Sequence, residues 1–405
     1  MKRRLRRIAT FFAVMGPGII TANVDNDAGG IATYSIAGAR TGYELLWTMI
    51  PITIALIIVQ EMTARMGVVT GKGLADLIRE RYGIRATFFV MVLLLLVNIG
   101  NIFAEFSGIR ASSEIFGIPS YISVPLGALF VWWLVVKGRY KSVEKVFLVA
   151  CLFYLSYIIS GIIARPSWDD IMSHVLHPTL KLDRGPLFIT IGLIGTTIAP
   201  WMQFFQQAAT VEKGVKLKNY AYSRLDTIIG GIVVSIVASF IIITCGAKLY
   251  PMGIHISSAE EAALALEPLA GKYCSILFAF GLLNASLFAA SILPLSTAYS
   301  VCEAFGWESG VNKRFSQAPT FYALYTGLIL LGGAGALIPS VPLIQVMYWS
   351  QILNGILLPV VLFCMLSLIN NKEVMGEYVN SGALNLISWI TIISIVILTF
   401  LAVIL

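Results

Sequence analysis

The sequence predicts an all-α polytopic membrane protein of about eleven transmembrane helices, with the first and sixth spans broken. Three observations lead there. Of 405 residues, 58% are hydrophobic and only 12% are charged, about half the ~25% charge of a soluble domain. The apolar residues fall in runs close to the ~20 residues that a bilayer demands. Two of those runs carry polar and turn-forming residues in the middle, and hydrocarbon tolerates irregular backbone only where protein buries it or where it lines a cavity.

Taken in order, the apolar windows are 8–39 (interrupted), 44–64, 86–108, 120–136, 143–163, 187–209, 225–249, 270–300, 317–338, 341–367 and 384–405. The first follows the basic run Met1-Lys-Arg-Arg-Leu-Arg-Arg7, which imitates a secretory signal. Polar residues at 23–30 follow at once, so the segment reads as a retained first span. With that end inside, 21 of the 28 Lys and Arg fall on inner loops and seven on outer ones. This bias sets the N-terminus in the cytoplasm and the C-terminus outside. It also accounts for the net charge of +7 without nucleic acid, because the basic residues sit in short loops between spans. The whole chain, 1–405, reads as one transmembrane domain in the cell membrane, with the lipid bilayer as its surroundings and no obligate protein partner.

Outside the spans, the acidic, Ala-rich stretch near 257–267 suits a short surface helix, and Leu74–Arg81 an inner amphipathic turn. His174, His177 and His255 lie in outer loops, and the spacing of the first two is not by itself a metal site. The five cysteines are scattered, with no CxxC pair, and read as small buried hydrophobes; Cys302 alone falls outside an apolar window. Trp132, Trp133 and Tyr140 read as interfacial anchors, Asn98 and Asn101 as interhelical hydrogen bonders, and Glu61 with Arg65 as an i, i+4 ion pair.

The chemistry concentrates at the two breaks. The first reads Thr21-Ala-Asn-Val-Asp-Asn-Asp-Ala-Gly-Gly-Ile31 and the second Gly195-Thr-Thr-Ile-Ala-Pro-Trp-Met-Gln203. Gly29 and Gly30 let the backbone leave the helix, and Pro200 removes a helical hydrogen bond. Breaks in corresponding spans point to two inverted repeats, about 8–163 and 187–367, with 384–405 as an extra span. Asp25 and Asp27 at the first break are costly in a bilayer, at about 2.5–3.5 kcal/mol each. Capping of the following half-helix explains part of their presence; a bound cation explains their pairing as well, since it relieves their repulsion. Gln203, Gln206 and Gln207 follow the second break, some of them suited to an inner vestibule.

These motifs resemble the NRAMP family of divalent-metal transporters, in particular its branch of NRAMP-related magnesium transporters. The likeness runs through Gly-Pro-Gly at 16–18, Ala-Thr-Tyr-Ser at 32–35, both breaks, and Ser350-Gln-Ile-Leu-Asn-Gly-Ile-Leu-Leu-Pro359. It implies a LeuT-type inverted-repeat fold and a transported ion instead of a resident cofactor or an enzyme's active site. The family pairs an Asp-Pro-Gly-Asn motif with an Ala-x-x-Met-Pro-His stretch and a span-10 Gln. Here these read Asp27-Ala28-Gly29-Gly30, Thr196-x-x-Ala199-Pro200-Trp201 and Gln351. The resemblance therefore implies a metal site of Asp27, Gly30, Thr196, Ala199 and Gln351, with Asp25 in a lesser role facing the vestibule. Replacing the family's thioether and amide ligands by Ala199 and Gly30 removes two donors and suggests extra room. Carboxylate, carbonyl and water suit Mg²⁺ and Mn²⁺, and Mg²⁺ keeps several waters when bound. Met202, one turn on, lies beyond Pro200 and is not expected to replace the missing sulfur.

The family's proton route is also thinned. Span 3 keeps only Glu105 of an Asp-Leu-Ala-Glu motif, Met91–Val97 before it is wholly apolar, and no charge lies between Phe321 and Leu343. Import of largely hydrated Mg²⁺, and of Mn²⁺ beside it, without proton coupling is the expectation. The alternatives are a proton-coupled Mn²⁺/Fe²⁺ importer, a sodium-coupled organic solute carrier and, from another class, an intramembrane aspartyl protease. The last needs two carboxylates on facing elements, and no further intramembrane aspartate stands out in the sequence.

Overall fold

The structure, a computed structural model, describes residues 16–137, 149, 154–179, 181–267 and 271–405. The basic run at 2–7, the start of the first span, the basic loop at 138–145 with Tyr140, the first part of the window 143–163 and Cys151 lie outside the described residues. Among the described residues every regular element is helical.

The first span is split into α1 (Pro17–Val24) and α2 (Ala28–Thr41). There follow α3 (Met49–Thr70), α4 (Leu74–Ile115), α5 (Ser120–Lys137), α6 (Leu155–Ile163) and α7 (Trp168–Leu176). The sixth span is split into α8 (Arg184–Thr197) and α9 (Pro200–Glu212). The remainder comprises α10 (Tyr220–Lys248), α11 (Ala259–Ala263), α12 (Cys274–Phe305), α13 (Pro319–Ala336), α14 (Leu343–Ile369), α15 (Lys372–Met375) and α16 (Gly382–Ile404).

Among the described residues, eight helical stretches are long and apolar enough to cross a membrane, matching the expected spans 2, 3, 4, 6, 7, 8, 10 and 11. The first span is divided by its break, the fifth is described only over α6, and the ninth is α13, 18 residues long. The chain is thus an all-helical, multi-pass membrane protein. The broken sixth span lies at the centre, with 94% of its most apolar stretch buried, against 22% for α16 at the periphery. Around it α10 packs along both α1 and α2, α14 packs on α2, α4 and α8, and α4 lies along α12.

The expected amphipathic turn and third span form one 42-residue helix, α4, interrupted where Gly83 adopts φ 76°, ψ 172°. That left-handed region penalises residues with a Cβ, and a Cβ there would meet nothing within 4 Å, so the glycine serves the bend itself. In the acidic outer stretch, α11 forms as expected, closed by a reciprocal capping box between Ser258 and Glu261, the arrangement that satisfies two orphan amides. The first outer loop holds α7, where His174 and His177 each turn a ring nitrogen to a carbonyl four residues back. Cys302, expected outside a span, is buried in α12, because that helix continues to Phe305.

Candidate functional site

At the first break α1 stops at Val24, and Asp25 and Asn26 form the turn leading to Asp27. Asp27 takes an extended conformation (φ −68°, ψ −174°), and its Oδ1 accepts from the Gly30 N–H at 2.6 Å. This satisfies one of the orphan amides that open α2. At the second break Ile198 leaves the helix (φ −127°, ψ 55°), Ala199 is extended, and Pro200 starts α9, where its missing N–H costs nothing. The two breaks touch. Thr196 Oγ1 donates to the backbone carbonyl of Asp25 at 3.2 Å, and the hydroxyls of Tyr34 and Thr197 are 2.9 Å apart.

Two glycines make this approach possible. A Cβ on Gly29 would lie 1.9 Å from Gln351 Nε2, and one on Gly30 would lie 2.0 Å from the carbonyl oxygen of Asp25. The sequence suggests that Gly30 leaves room at the site. The structure differs: the Asp25 carbonyl and Thr196 Oγ1, 3.0 Å from the same point, occupy that space. Gly30 therefore brings a backbone oxygen and a hydroxyl inward, where the family's asparagine would bring a side chain.

Three acids converge here, Asp25, Asp27 and Glu105, at 1%, 3% and 0% exposure. Glu105 reaches across from α4, accepting from the Ala28 N–H at 3.2 Å through Oε2, and it interacts directly with Asp27. Both Oδ atoms of Asp25, both side-chain polar atoms of Asn26 and Glu105 Oε1 are buried without a hydrogen-bond partner. A buried polar atom left unsatisfied costs about 1–3 kcal/mol, more when charged. Such a concentration at one point fits a place where a cation or protons complete the bonding.

From α14, Gln351 lies against Gly29, its Nε2 donating to Ser350 Oγ at 3.3 Å and its Oε1 accepting from Asn354 at 2.8 Å. Asn354 in turn pairs with Asn101 of α4 through bonds of 2.9 and 3.1 Å. Turning the Gln351 amide end for end, with Asn354 and Asn101 turning alongside so that no two N–H groups face each other, would present its oxygen to the break. Ala199 ends the second break with its carbonyl, which accepts from Gln203 Nε2 at 3.2 Å. Met202 is fully buried in α9. Among the described residues no group of three or more His, Cys, Asp or Glu side chains is arranged to hold a metal ion by itself. A cation here would draw on carboxylates, a backbone carbonyl, a hydroxyl and an amide together.

Asp25, Asp27, Gly30, Thr196 and Gln351 are thus brought together at the touching breaks, with Ala199 at the edge. Sequence reasoning left Glu105 open and missed Thr197 and Asn354, both polar residues beside the motifs it used. It also missed Asp226, a third buried aspartate of the membrane region, 1% exposed in α10; an acid at the second position of the apolar window 225–249 was the available signal. Asp226 binds the backbone of α1 through Gly16 and Gly18, so it forms no carboxyl dyad with the break. Of the remaining expectations, Asn98 bonds Thr297 of α12 at 2.8 Å, and Glu61 pairs with Arg65 at 3.1 Å. Gln206 and Gln207 are buried and bonded to Thr227 and to the Lys72 carbonyl. Trp132 bonds Thr326 while Trp133 is exposed.

Known proteins resemble this chain along nearly its whole length. The divalent metal cation transporter MntH of Yersinia pestis (strain Pestoides F) is 27% identical over 409 residues, covering 98% of this chain and 95% of that protein. MntH of Erwinia tasmaniensis is 26% identical over 381 residues, covering 91% and 89%. Among solved structures, the Eremococcus coleocola manganese transporter superposes with a TM-score of 0.77 at 21% identity, over 97% of this chain and 85% of its own. MhsT in complex with L-phenylalanine superposes with a TM-score of 0.61 at 15% identity, over 95% and 98%. These likenesses show a shared LeuT-type fold. The family model described as natural resistance-associated macrophage protein-like (Nramp) matches residues 18–405, and the chain belongs to that family.

Proposed function

We propose that the protein carries divalent metal cations across the cell membrane by alternating access, importing Mg²⁺ and, beside it, Mn²⁺. The family and its MntH relatives, named as divalent metal cation transporters, support the general reading. One observation supports the choice of Mg²⁺: the donors meeting at the two breaks are hard ones, with the Ala199 methyl where the family has a thioether. Asp27 and Asp25 supply charge, the Asp25 carbonyl and Thr196 supply neutral oxygens, and Gln351 supplies an amide. A small ion that sheds water reluctantly is held by one or two carboxylates with part of its shell retained. The two repeats, about 8–163 and 187–367, would rock about this point, with the N-terminus cytoplasmic and the C-terminus outside.

We further propose that transport is not coupled to protons. Beyond Asp25, Asp27 and Glu105, α13 carries no charged side chain, and a relay needs titratable groups within reach of one another. A second reading, proton-coupled Mn²⁺ import, is favoured by one observation, the Glu105 carboxyl against Asp27, a pair able to share a proton. Proteoliposomes holding a Mg²⁺ dye and a pH dye separate the two. Mg²⁺ entry without luminal acidification, and block of Mn²⁺ entry by excess Mg²⁺, is the expected result. Acidification that tracks metal entry overturns the uncoupled reading, and Mn²⁺ entry indifferent to Mg²⁺ overturns the choice of ion.

A further inference from the structure

One step of α10 grips the same-side halves of both broken helices. Counted by alternation of spans, α1, the end of α9 and the start of α10 share the side of the basic loop 213–224. Asp226 Oδ1 accepts from the Gly16 N–H at 3.1 Å, and Oδ2 accepts from the Gly18 N–H at 2.7 Å. These are orphan amides at the start of α1, where no local side chain caps the helix. The next residue, Thr227, accepts from Gln206 Nε2 of α9 at 3.2 Å. Backbones meet at the same place: a Cβ on Gly18 would lie 2.7 Å from Thr227 N, and one on Gly230 would lie 2.8 Å from the Gly18 carbonyl. Asp226, Thr227 and Gln206 are all buried, at 1%, 2% and 0% exposure.

We propose that the Asp226–Thr227 step is a latch that positions α1 and α9 jointly and closes the site on the basic-loop side. The inference rests on the alternating-access reading. Opening toward that side moves α1 or α9 away from α10. A buried carboxylate stripped of both donors is strongly disfavoured, so the clasp is either made or released to water, with little stability between. Because one step of α10 holds both half-helices, release of one loosens the other.

The test uses the full-length protein in membranes, with Ala22→Cys, buried in α1, as reporter and a small maleimide as probe, each rate being corrected for the parent chain. Asp226→Asn keeps one acceptor and turns an amide toward the second N–H. It should speed labelling about tenfold, the equivalent of one charge-assisted bond. Asp226→Glu should restore slow labelling in part. Gln206→Leu, which lies on α9, should also speed labelling at position 22, by several-fold. Mg²⁺ affinity by calorimetry should stay within about twofold in all three, since none supplies a donor to the ion. Unchanged labelling in Asp226→Asn, or loss of Mg²⁺ affinity in step with faster labelling, overturns the latch. If Asp226→Asn is not monodisperse, Gln206→Leu decides alone, and its failure to speed labelling overturns the joint hold. Labelling is measured without metal, so an error in the assigned ion leaves this result standing.

Discussion

At the residue scale, the two aspartates of the first break have different bonds and predict different phenotypes. Asp27 both caps α2 and lies beside Glu105, so Asp27→Ala should abolish Mg²⁺ binding. It should also lower stability by about 1 kcal/mol through the lost cap, a small change in melting temperature beside a complete loss of transport. Asp25, expected from sequence to matter less, has neither carboxylate oxygen bonded. Replacing an unsatisfied buried charge by an amide relieves strain in the empty protein. Asp25→Asn should therefore raise the metal-free melting temperature while weakening Mg²⁺ binding at least tenfold in calorimetry; a fall in both would mean the carboxylate is structural. Selectivity is tested most cleanly by Ala199→Met alone, which should favour Mn²⁺ over Mg²⁺ in competition uptake. Adding Gly30→Asn would confound it, because a Cβ there runs into the Asp25 carbonyl. That collision was invisible in the sequence, where Gly30 read only as an absent ligand.

At the element scale, the breaks owe their form to local chemistry and their persistence to neighbours. Pro200 and the capping Asp27 were readable in advance because each acts within a few residues. The ties that hold whole helices were not. Arg65 of α3 pairs with Glu61, bonds Asn380, and reaches the carbonyls of Tyr378 and Val379 before α16. Glu61 also accepts from Tyr220 of α10. The sequence predicts only the i, i+4 pair, worth a few tenths of a kcal/mol on an exposed helix. Buried, with both side chains under 10% exposed, the network should cost on the order of 3 kcal/mol to break. Arg65→Ala should therefore lower thermal stability markedly and expose α16 to limited proteolysis. In α4, Gly83→Ala should cost about 1–2 kcal/mol through its left-handed backbone, with transport kept if the bend survives.

At the scale of the whole molecule, an uncoupled carrier of a doubly charged ion has a calculable driving force. Each elementary charge moved through 100 mV is worth about 2.3 kcal/mol. A divalent ion at that potential can thus accumulate about two-thousandfold. In proteoliposomes, a potassium diffusion potential, negative inside, should accelerate Mg²⁺ uptake, and dissipating a pH gradient should leave it unchanged. Uptake indifferent to voltage would require a compensating ion and would contradict the mechanism.

By itself the sequence determined that the chain is helical, crosses the membrane many times and breaks two of its spans around acidic and turn-forming residues. Those properties follow from hydrophobic run length and from backbone preferences acting over a few neighbours. Only the tertiary structure decided what the breaks meet: Glu105 from α4, the Asn101–Asn354–Gln351 chain, and Asp226 reaching amides more than 200 residues away. Such partners depend on how helices are apposed. In a bilayer, where hydrophobicity drives helices together only weakly, small-residue contacts and polar bonds between distant segments decide that apposition.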